Sequence, residues 1–282
     1  DRLQILRGVV EGILEKTDYP NLEVIIVDNQ SCEPETLAYF HELEKIAAPK
    51  FKIVRYYQPF NFSAIQNFGV EAASGDVYAF LNNDLEMIRP DWLKIMVGHA
   101  MRPDVGAVGA RLLYANNTVQ HGGVILGIGG VAGHLLKYVS RETLGSGKRC
   151  RVTQTLSSVT AACLVIRRAV FEKVSGFDAT NLPIAFNDVD FCLRIREAGF
   201  RNLLDPEAEL YHLESVSRGS DDTPQRRAGF QKEIGYMLNR WEPTLRTDPA
   251  YNPNLSLIHD DFSLAFPPRV EKPWQSRGSV SK

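Results

Sequence analysis

Two short apolar runs in this chain each end at a cluster of carboxylate and amide side chains, and that repetition constrains the fold more than any other feature. Leu22-Glu23-Val24-Ile25-Ile26-Val27 runs into Asp28-Asn29, and Val77-Tyr78-Ala79-Phe80-Leu81 runs into Asn82-Asn83-Asp84. Runs this short, rich in β-branched and aromatic residues, suit strands buried in a sheet. Helical periodicity surrounds them. Apolar residues recur at Leu3, Leu6, Val10, Ile13 and Leu14, Pro34 opens a helix to about Ala48, and Phe62 to Ala73 reads as a helix capped by Asn61. Pro90 opens another helix in its first turn, and Phe51 to Tyr57 alternates as a strand does. Strands alternating with helices imply βαβ units, hence an α/β fold with a mostly parallel central sheet flanked by helices.

The second half changes character. Val105 to Tyr114 and Thr155 to Arg167 read as strands, with a glycine-rich, less regular stretch between them. Asp188 to Ala198 reads as a helix ended by Gly199, Glu209 to Leu213 as a short strand, and Gln225 to Trp241 as a helix. From Pro243 onward prolines recur, which marks a tail that wraps the domain or leads into another one. No internal repeat is visible.

Composition excludes several classes. With 282 residues and 44% hydrophobic content there is material for one large domain with extensions. The formal net charge of −2 argues against a nucleic-acid footprint. No apolar run reaches the length of a membrane span, and the first residues do not read as a signal peptide. Cys32, Cys150, Cys163 and Cys192 lack CxxC spacing, so reduced thiols of a cytosolic protein are expected.

In open parallel sheets ligands sit beyond the carboxyl ends of strands. Asp28 and the cluster Asn82-Asn83-Asp84 therefore belong to one rim. Either aspartate alone has an ordinary alternative as a helix cap or turn former. Oxygen ligands clustered at a strand end suit Mg²⁺ or Mn²⁺, the kind of cation a diphosphate leaving group needs. Asp188 stands in the first turn of its helix, where it serves either as a cap or as a general base toward a hydroxyl. His212 ends a strand, which is compatible with a structural or a ligating role. The segment from Glu214 to Thr223 holds Ser, Gly and Arg218 without apolar periodicity, and is expected to fold over a phosphate. Gly127-Ile128-Gly129-Gly130-Val131-Ala132 matches the dinucleotide pattern GxGxxA, but it lacks a strand–turn–helix setting and an acidic residue about twenty positions on. It reads as a glycine loop. Neither a P-loop nor a GxSxG elbow is present.

These pieces come in a particular order: Val24–Asp28-Asn29-Gln30-Ser31, Asn61 with Asn67-Phe68-Gly69, Phe80–Asp84, Thr160-Ala161-Ala162-Cys163 leading to Gly176-Phe177-Asp178, and Asn187–Arg194. From about Arg2 to Trp241 the order resembles family 2 glycosyltransferases, inverting enzymes with a Rossmann-like GT-A fold. The His212–Gly219 segment and Asp248–Leu255 resemble a bacterial subgroup that builds O-antigen and related surface polysaccharides. The resemblance implies a catalytic domain over residues 1–242, with a nucleotide-binding half at about 1–104 and an acceptor-binding half at about 105–242. A smaller acceptor-side sheet and a Pro-rich extension over 243–282 complete it.

Carried over by position, the resemblance implies a nucleotide-sugar donor held by Asp28, Asn29, Asn61, Asn67, Asn82, Asn83 and Arg218. It implies a divalent cation, Mg²⁺ or Mn²⁺, on Asp84 and His212, and Asp188 as general base. Thr160, Ala161, Ala162 and Asn187 would line the side of a saccharide or lipid-linked saccharide acceptor. The sequence departs from the family's pattern at three places: no strand precedes the first helix, Asn82 replaces the first carboxylate of the DxD motif, and Asn187 replaces the glutamate of the "ED" pair. The implied reaction is single displacement from a UDP- or dTDP-sugar, with inversion, in the cytoplasm or at the inner face of the membrane, with further domains of a longer chain as neighbours. Two other functions fit the pattern: a degenerate nucleotide-sugar-binding domain, favoured by the missing strand and the two asparagines, and a sugar nucleotidyltransferase.

Overall fold

The computed structural model describes residues 2–46, 50–213 and 223–270. The first half follows the expected alternation: α1 (Leu3–Glu15), β1 (Val24–Asp28), α2 (Pro34–Ile46), β2 (Phe51–Arg55), α3 (Phe62–Glu71), β3 (Val77–Leu81), β4 (Leu85–Met87) and α4 (Trp92–Ala100). Then come β5 (Val105–Leu113), β6 (Val119–His121), β7 (Val124–Leu126), β8 (Ala132–His134), β9 (Gln154–Leu156), β10 (Cys163–Arg167), α5 (Arg168–Lys173), α6 (Asn187–Glu197), β11 (Arg201–His212) and α7 (Pro224–Arg246).

The central sheet has the order β3-β10-β5-β11-β4, with β6 on β5 and β9 on β11. β10 is antiparallel to both β3 and β5, while β5 and β11 are parallel, so β3, β5 and β11 run one way and β10 and β4 the other. β1 and β2 form a separate parallel pair. Among the described residues β1 and β3 do not pair with each other, and apolar side chains of α1, β1, α3 and β3 line a cleft between them. The architecture is the α/β GT-A arrangement, and the reversed β10 is a feature that strand–helix alternation does not reveal.

Burial explains the strand sequences. On β10, Cys163 and Val165 join one core with α1, α4 and β4, while Leu164 and Ile166 join a second with β3, α5 and α6. Successive side chains of a strand point to opposite faces, so a strand covered on both sides reads as a continuous apolar run. All nine residues of β5 are buried for the same reason. α1 lies so close to β4 that a Cβ at Gly12 would collide with Met87 Sδ.

Two expectations change and a third is filled in. The expected strand from Thr155 to Arg167 is two strands, β9 and β10, separated by residues 157–162. Side chains take up backbone groups there, as Asn202 Nδ2 donates to Ser157 O and Ala161 N donates to Asp188 Oδ2. The expected short strand at Glu209 is the end of a 12-residue strand, β11. Pro206, which has no N–H to give a ladder, is accommodated by the register shift between Asp205 and Glu209 within the strand. The glycine stretch from Gly127 to Ala132 is the tight connection of the β7–β8 hairpin, with Gly127 N donating to Val131 O at 2.7 Å.

The C-terminal tail is tied to the domain. α7 continues through Pro243 to Arg246, and Asp248, 3% exposed, accepts hydrogen bonds from Leu126 N, Ser157 Oγ and Ala250 N. Among the described residues the four cysteines are free thiols, and no helix is long and apolar enough to cross a membrane.

Candidate active site

The site grows from the ends of β1, β3 and β11 and the start of α6, which open on one cleft of about 1650 Å³. Pairing of β11 with β4 sets its centre. His212 stands opposite Leu85, and Leu213 N donates to the backbone oxygen of Asp84 at 2.9 Å. This register brings His212 Nε2 to 3.1 Å from Asp84 Oδ1. Gln120 Oε1 lies 2.6 Å from His212 Nδ1 and, as an amide oxygen, accepts its proton. Nε2 is then an unprotonated acceptor, and the amide Nδ2 of Asn82 donates to it at 3.2 Å.

Asp84 is 5% exposed, and its Oδ1 is a buried oxygen with no hydrogen-bond donor. A carboxylate oxygen and an imidazole lone pair facing each other are two acceptors with no proton between them, an arrangement a divalent cation satisfies. Among the described residues no group of three or more His, Cys, Asp or Glu side chains is placed to hold a metal. Mg²⁺ and Mn²⁺ are commonly held by one or two protein groups and completed by substrate phosphates and water, so Asp84 and His212 fit such an ion.

Asp188 occupies the first turn of α6, half-buried. Its Oδ2 accepts the Ala161 N–H at 3.2 Å and its Oδ1 the Val189 N–H at 2.8 Å. Phe186, just before α6, has φ 55° and stacks on Phe230 of α7. A bulky residue in that conformation carries backbone strain, which the stacking and the packed loop hold in place. Asp190, fully buried, anchors the same helix through Arg194 Nε at 2.7 Å and Trp241 Nε1 at 2.9 Å. Asn187 also lines the cleft, and its amide donates to Ile184 O at 2.7 Å.

Residues 160–162 join the two halves of the site. Ala162 O accepts from Asn82 N at 2.9 Å, Ala161 N holds Asp188, and Thr160 N donates to His121 Nε2 at 3.4 Å. His121 is fully buried, and its Nδ1 lies 2.7 Å from Nδ1 of His134. Burial, with His134 and His212 nearby, pushes the His121 imidazole well below its ordinary pKa, so it is neutral.

On the other rim, Asp28 is buried and ion-paired with Arg55, its neighbour on β2, while Oδ1 accepts Ser31 N at 3.1 Å. Asn29 Nδ2 donates to Tyr56 O and Gln58 O, tying together the loops that follow β1 and β2. Both line the cleft, as do Asn82 and Asn83. Asn61 and Asn67 do not line it. Asn61 caps α3 through Ala64 N and donates to Ala179 O, and Asn67 makes paired bonds with the backbone of Phe177. Their amides fasten α3 to the 177–179 loop. Arg218 and the segment from Glu214 to Asp222 lie outside the described residues.

Sequence reasoning missed Gln120, His121 and His134. They lie in the glycine-rich stretch where periodicity is weak, and the available signal was two histidines ending short strands.

A sheet of this order, with Asp84, His212 and Asp188 lining one cleft, defines an α/β fold with a candidate ligand site at its strand ends. The comparisons agree. Residues 1–175 match the family described as Glycosyl transferase family 2, and the chain belongs to that family. It is 47% identical over 267 residues to the protein y4gI of Sinorhizobium fredii, covering 95% of this chain and 29% of that one. It is 38% identical over 269 residues to the O-antigen biosynthesis protein RfbC of Myxococcus xanthus, covering 94% of this chain and 20% of that one. The chain thus spans less than a third of either relative. Among solved structures, it is similar to the mannosyltransferase PcManGT of Pyrobaculum calidifontis in complex with GDP-Man and Mn²⁺, with a TM-score of 0.61, 16% identity and coverage of 88% of this chain and 68% of that chain. It is similar also to GalNAc-T7 with UDP, GalNAc and Mn²⁺, with a TM-score of 0.66, 13% identity and coverage of 86% and 48%. At such identities these structures show the fold alone.

Proposed function

We propose that this domain transfers a sugar from a nucleotide-diphosphosugar, with UDP or dTDP as carrier, to a hydroxyl of a saccharide or lipid-linked saccharide acceptor, with inversion at the anomeric carbon. The observation that carries the reading is the pairing of Asp84 Oδ1 with the His212 Nε2 lone pair, on the cleft that also holds Asp188. The name of the Myxococcus relative supports a place in O-antigen or related surface-polysaccharide assembly, at the cytoplasmic side of the membrane. The longer lengths of the relatives support further domains beside this one.

In this reading the acceptor oxygen attacks the anomeric carbon as the bond to the diphosphate oxygen breaks. The electron pair of that bond leaves on the diphosphate. Asp188 takes the acceptor's proton, and Ala161 N and Val189 N hold its two oxygens in place for the transfer. Asp84 and His212 would hold the divalent cation, whose chemistry is to neutralise charge on the departing diphosphate. Asp28 and Asn29 would frame the nucleoside, and Thr160 to Ala162 the acceptor side. Arg218, assigned by resemblance, would meet the donor phosphates.

Calorimetric titration with uridine, deoxythymidine and guanosine diphosphates, with and without Mn²⁺, tests this. The wild type should bind at least one of them in a Mn²⁺-dependent way, and Asp84→Ala should abolish that dependence while keeping the fold. Equal Mn²⁺-dependent affinity in the variant would remove the metal assignment. Nucleotide binding without transfer or donor hydrolysis would favour a binding domain over an enzyme.

A further inference from the structure

The segment from Lys137 to Val152 differs in charge from the chain around it. It holds five basic residues, Lys137, Arg141, Lys148, Arg149 and Arg151, against one acidic residue, Glu142, whereas the whole chain has a net charge of −2. Two of the five are neutralised: Arg141 pairs with Glu209 at 2.8 Å and Arg151 with Glu142 at 3.0 Å. Among the described residues Lys137, Lys148 and Arg149 form no ion pair, and Lys137 and Arg149 lie over the rings of Tyr138 and Phe262.

A buried peg gives this segment its shape. Arg111 of β5 is 2% exposed and pairs with Glu209 of β11. Its Nη1 donates to Cys150 O at 3.3 Å and, at 3.5 Å, to Arg141 O, so one guanidinium closes the 141–150 loop at its base. Inside the loop Cys150 N donates to Leu144 O at 3.0 Å. The tail touches both ends of the segment: Asp260 accepts the Lys137 N–H at 3.2 Å, and the Phe262 ring lies 4.6 Å from the Arg149 guanidinium carbon. The three unpaired cations are therefore neighbours on one side of the fold.

Apolar side chains stand out among them. Tyr138 is 68% exposed, Leu144 50% and Val152 49%, and Ile258, two residues before Asp260, is 81% exposed. One such residue is ordinary on a protein surface. Four of them beside three unpaired cations make two demands at once, apolar contact and negative charge. An anionic bilayer meets both, because apolar side chains enter the headgroup boundary while Lys and Arg stay at the phosphates. A soluble polyanion meets only the second. Asp260 and Asp261 flank the patch and offset part of its charge, so the apolar contacts must supply part of the binding.

We propose that the surface formed by residues 137–152 and Ile258 docks on an anionic lipid bilayer, with Tyr138 and Leu144 entering the headgroup region. The surface begins at the edge of the cleft: Lys137 lines it, and Tyr138 N donates to Val119 O, next to Gln120, the partner of His212. In the glycosyltransferase reading, on which only the purpose of the docking rests, a lipid-linked acceptor anchored in that bilayer presents its saccharide to the cleft.

Vesicle co-sedimentation tests the docking. The wild type should bind vesicles of phosphatidylcholine and phosphatidylglycerol in equal parts, bind phosphatidylcholine alone at least about tenfold more weakly, and lose affinity as salt rises. Absence of binding, or equal binding to both vesicles, overturns the proposal. Lys148→Gln should weaken binding about fivefold, the ratio for one basic charge at such a surface. Leu144→Ser should weaken it by at least about threefold, through lost apolar contact. Lys45→Gln, an exposed charge at the end of α2, should leave it unchanged; a loss equal to that of Lys148→Gln would mean general charge attraction and overturn the patch. Leu144→Trp should add fluorescence that moves to shorter wavelength on the anionic vesicles, measured against the wild type, and an unmoved spectrum overturns insertion. All four substitutions are on exposed side chains, and Mn²⁺-dependent nucleoside diphosphate binding without vesicles should be unchanged in each. Its absence in the wild type would instead refute the glycosyltransferase reading and leave the vesicle result standing.

Discussion

Glu23 binds Ser74 across the opening between β1 and β3: its Oε1 accepts both the Ser74 Oγ–H, at 2.7 Å, and the Ser74 N–H. Gly75 N adds a third bond at 3.0 Å, and Lys52 on β2 pairs with the other oxygen at 2.9 Å. One carboxylate therefore fastens the β1–β2 pair to the turn leading into β3, which matters because among the described residues the two sheet pieces share no ladder there.

That arrangement has a pH signature. Burial alone would raise the Glu23 pKa, but hydrogen bonds from Lys52, Ser74 and Gly75 outweigh it and lower it from 4.5 to about 2. Since the folded value lies below the unfolded one, the stabilisation is fully present above pH 4.5 and is lost as pH falls toward about 2. Screened by solvent, the contribution is about 1–2 kcal/mol. Glu23→Gln should lower stability by that amount at neutral pH, and urea unfolding at a series of pH values should show the deficit shrinking through that acid window. A pH-independent deficit would mean that packing, not charge, is what the substitution removes.

The tail should prove part of the domain. Asp248 is buried and accepts three hydrogen bonds, two of them from Leu126 and Ser157 in the body of the fold. Removing it leaves buried donors without partners. Asp248→Ala should therefore lower unfolding stability by about 2–4 kcal/mol, read as a shift in the urea midpoint. A shift under about 0.5 kcal/mol, the size typical of surface substitutions, would show that residues after α7 are not integral.

Gln120 should matter to metal binding although it would not touch the ion. Its Oε1 holds the His212 Nδ1 proton and so keeps Nε2 unprotonated toward Asp84. Loss of such an outer partner costs about 10–100-fold in metal affinity. Gln120→Ala should weaken Mn²⁺-dependent nucleoside diphosphate binding within that range and leave metal-free binding alone. Calorimetry that finds the Mn²⁺ dependence intact would take His212, oriented in this way, out of the metal site.

What the sequence made legible follows from where local pattern and tertiary structure agree. β3 spans Val77–Leu81 as expected, because a short run buried in a sheet is bounded by its own polar ends. Asp28, Asp84, His212 and Asp188 reach one cleft because strand ends share a rim. Strand direction was not legible, since nothing in Cys163–Arg167 states that β10 runs against both neighbours. The break at residues 157–162 was hidden because its polar groups find partners outside the local sequence, Asp248 and Asn202 for Ser157 and Asp188 for Ala161. Asn61 and Asn67 show the converse. Asparagine beside a helix start reads equally well as a ligand contact or a structural tie, and only the contacts to Ala179 and Phe177 distinguish them.

Asp188 provides the sharpest test of the chemistry. Its two oxygens are held by backbone N–H groups of Ala161 and Val189, so the side chain is fixed by its surroundings rather than by its charge. Asp188→Asn keeps the shape and one acceptor oxygen for those donors, and it removes the lone pair that would take the acceptor's proton. Donor binding should stay near the wild-type value because the Asp84–His212 pair is untouched. Turnover with any acceptor that the wild type uses should fall by about a hundredfold or more, the scale of a lost general base. Donor hydrolysis should fall with it, since water attacking the anomeric carbon must also give up a proton. Turnover within a few fold of wild type would remove Asp188 from that role and leave it as a structural tie between the first turn of α6 and Ala161.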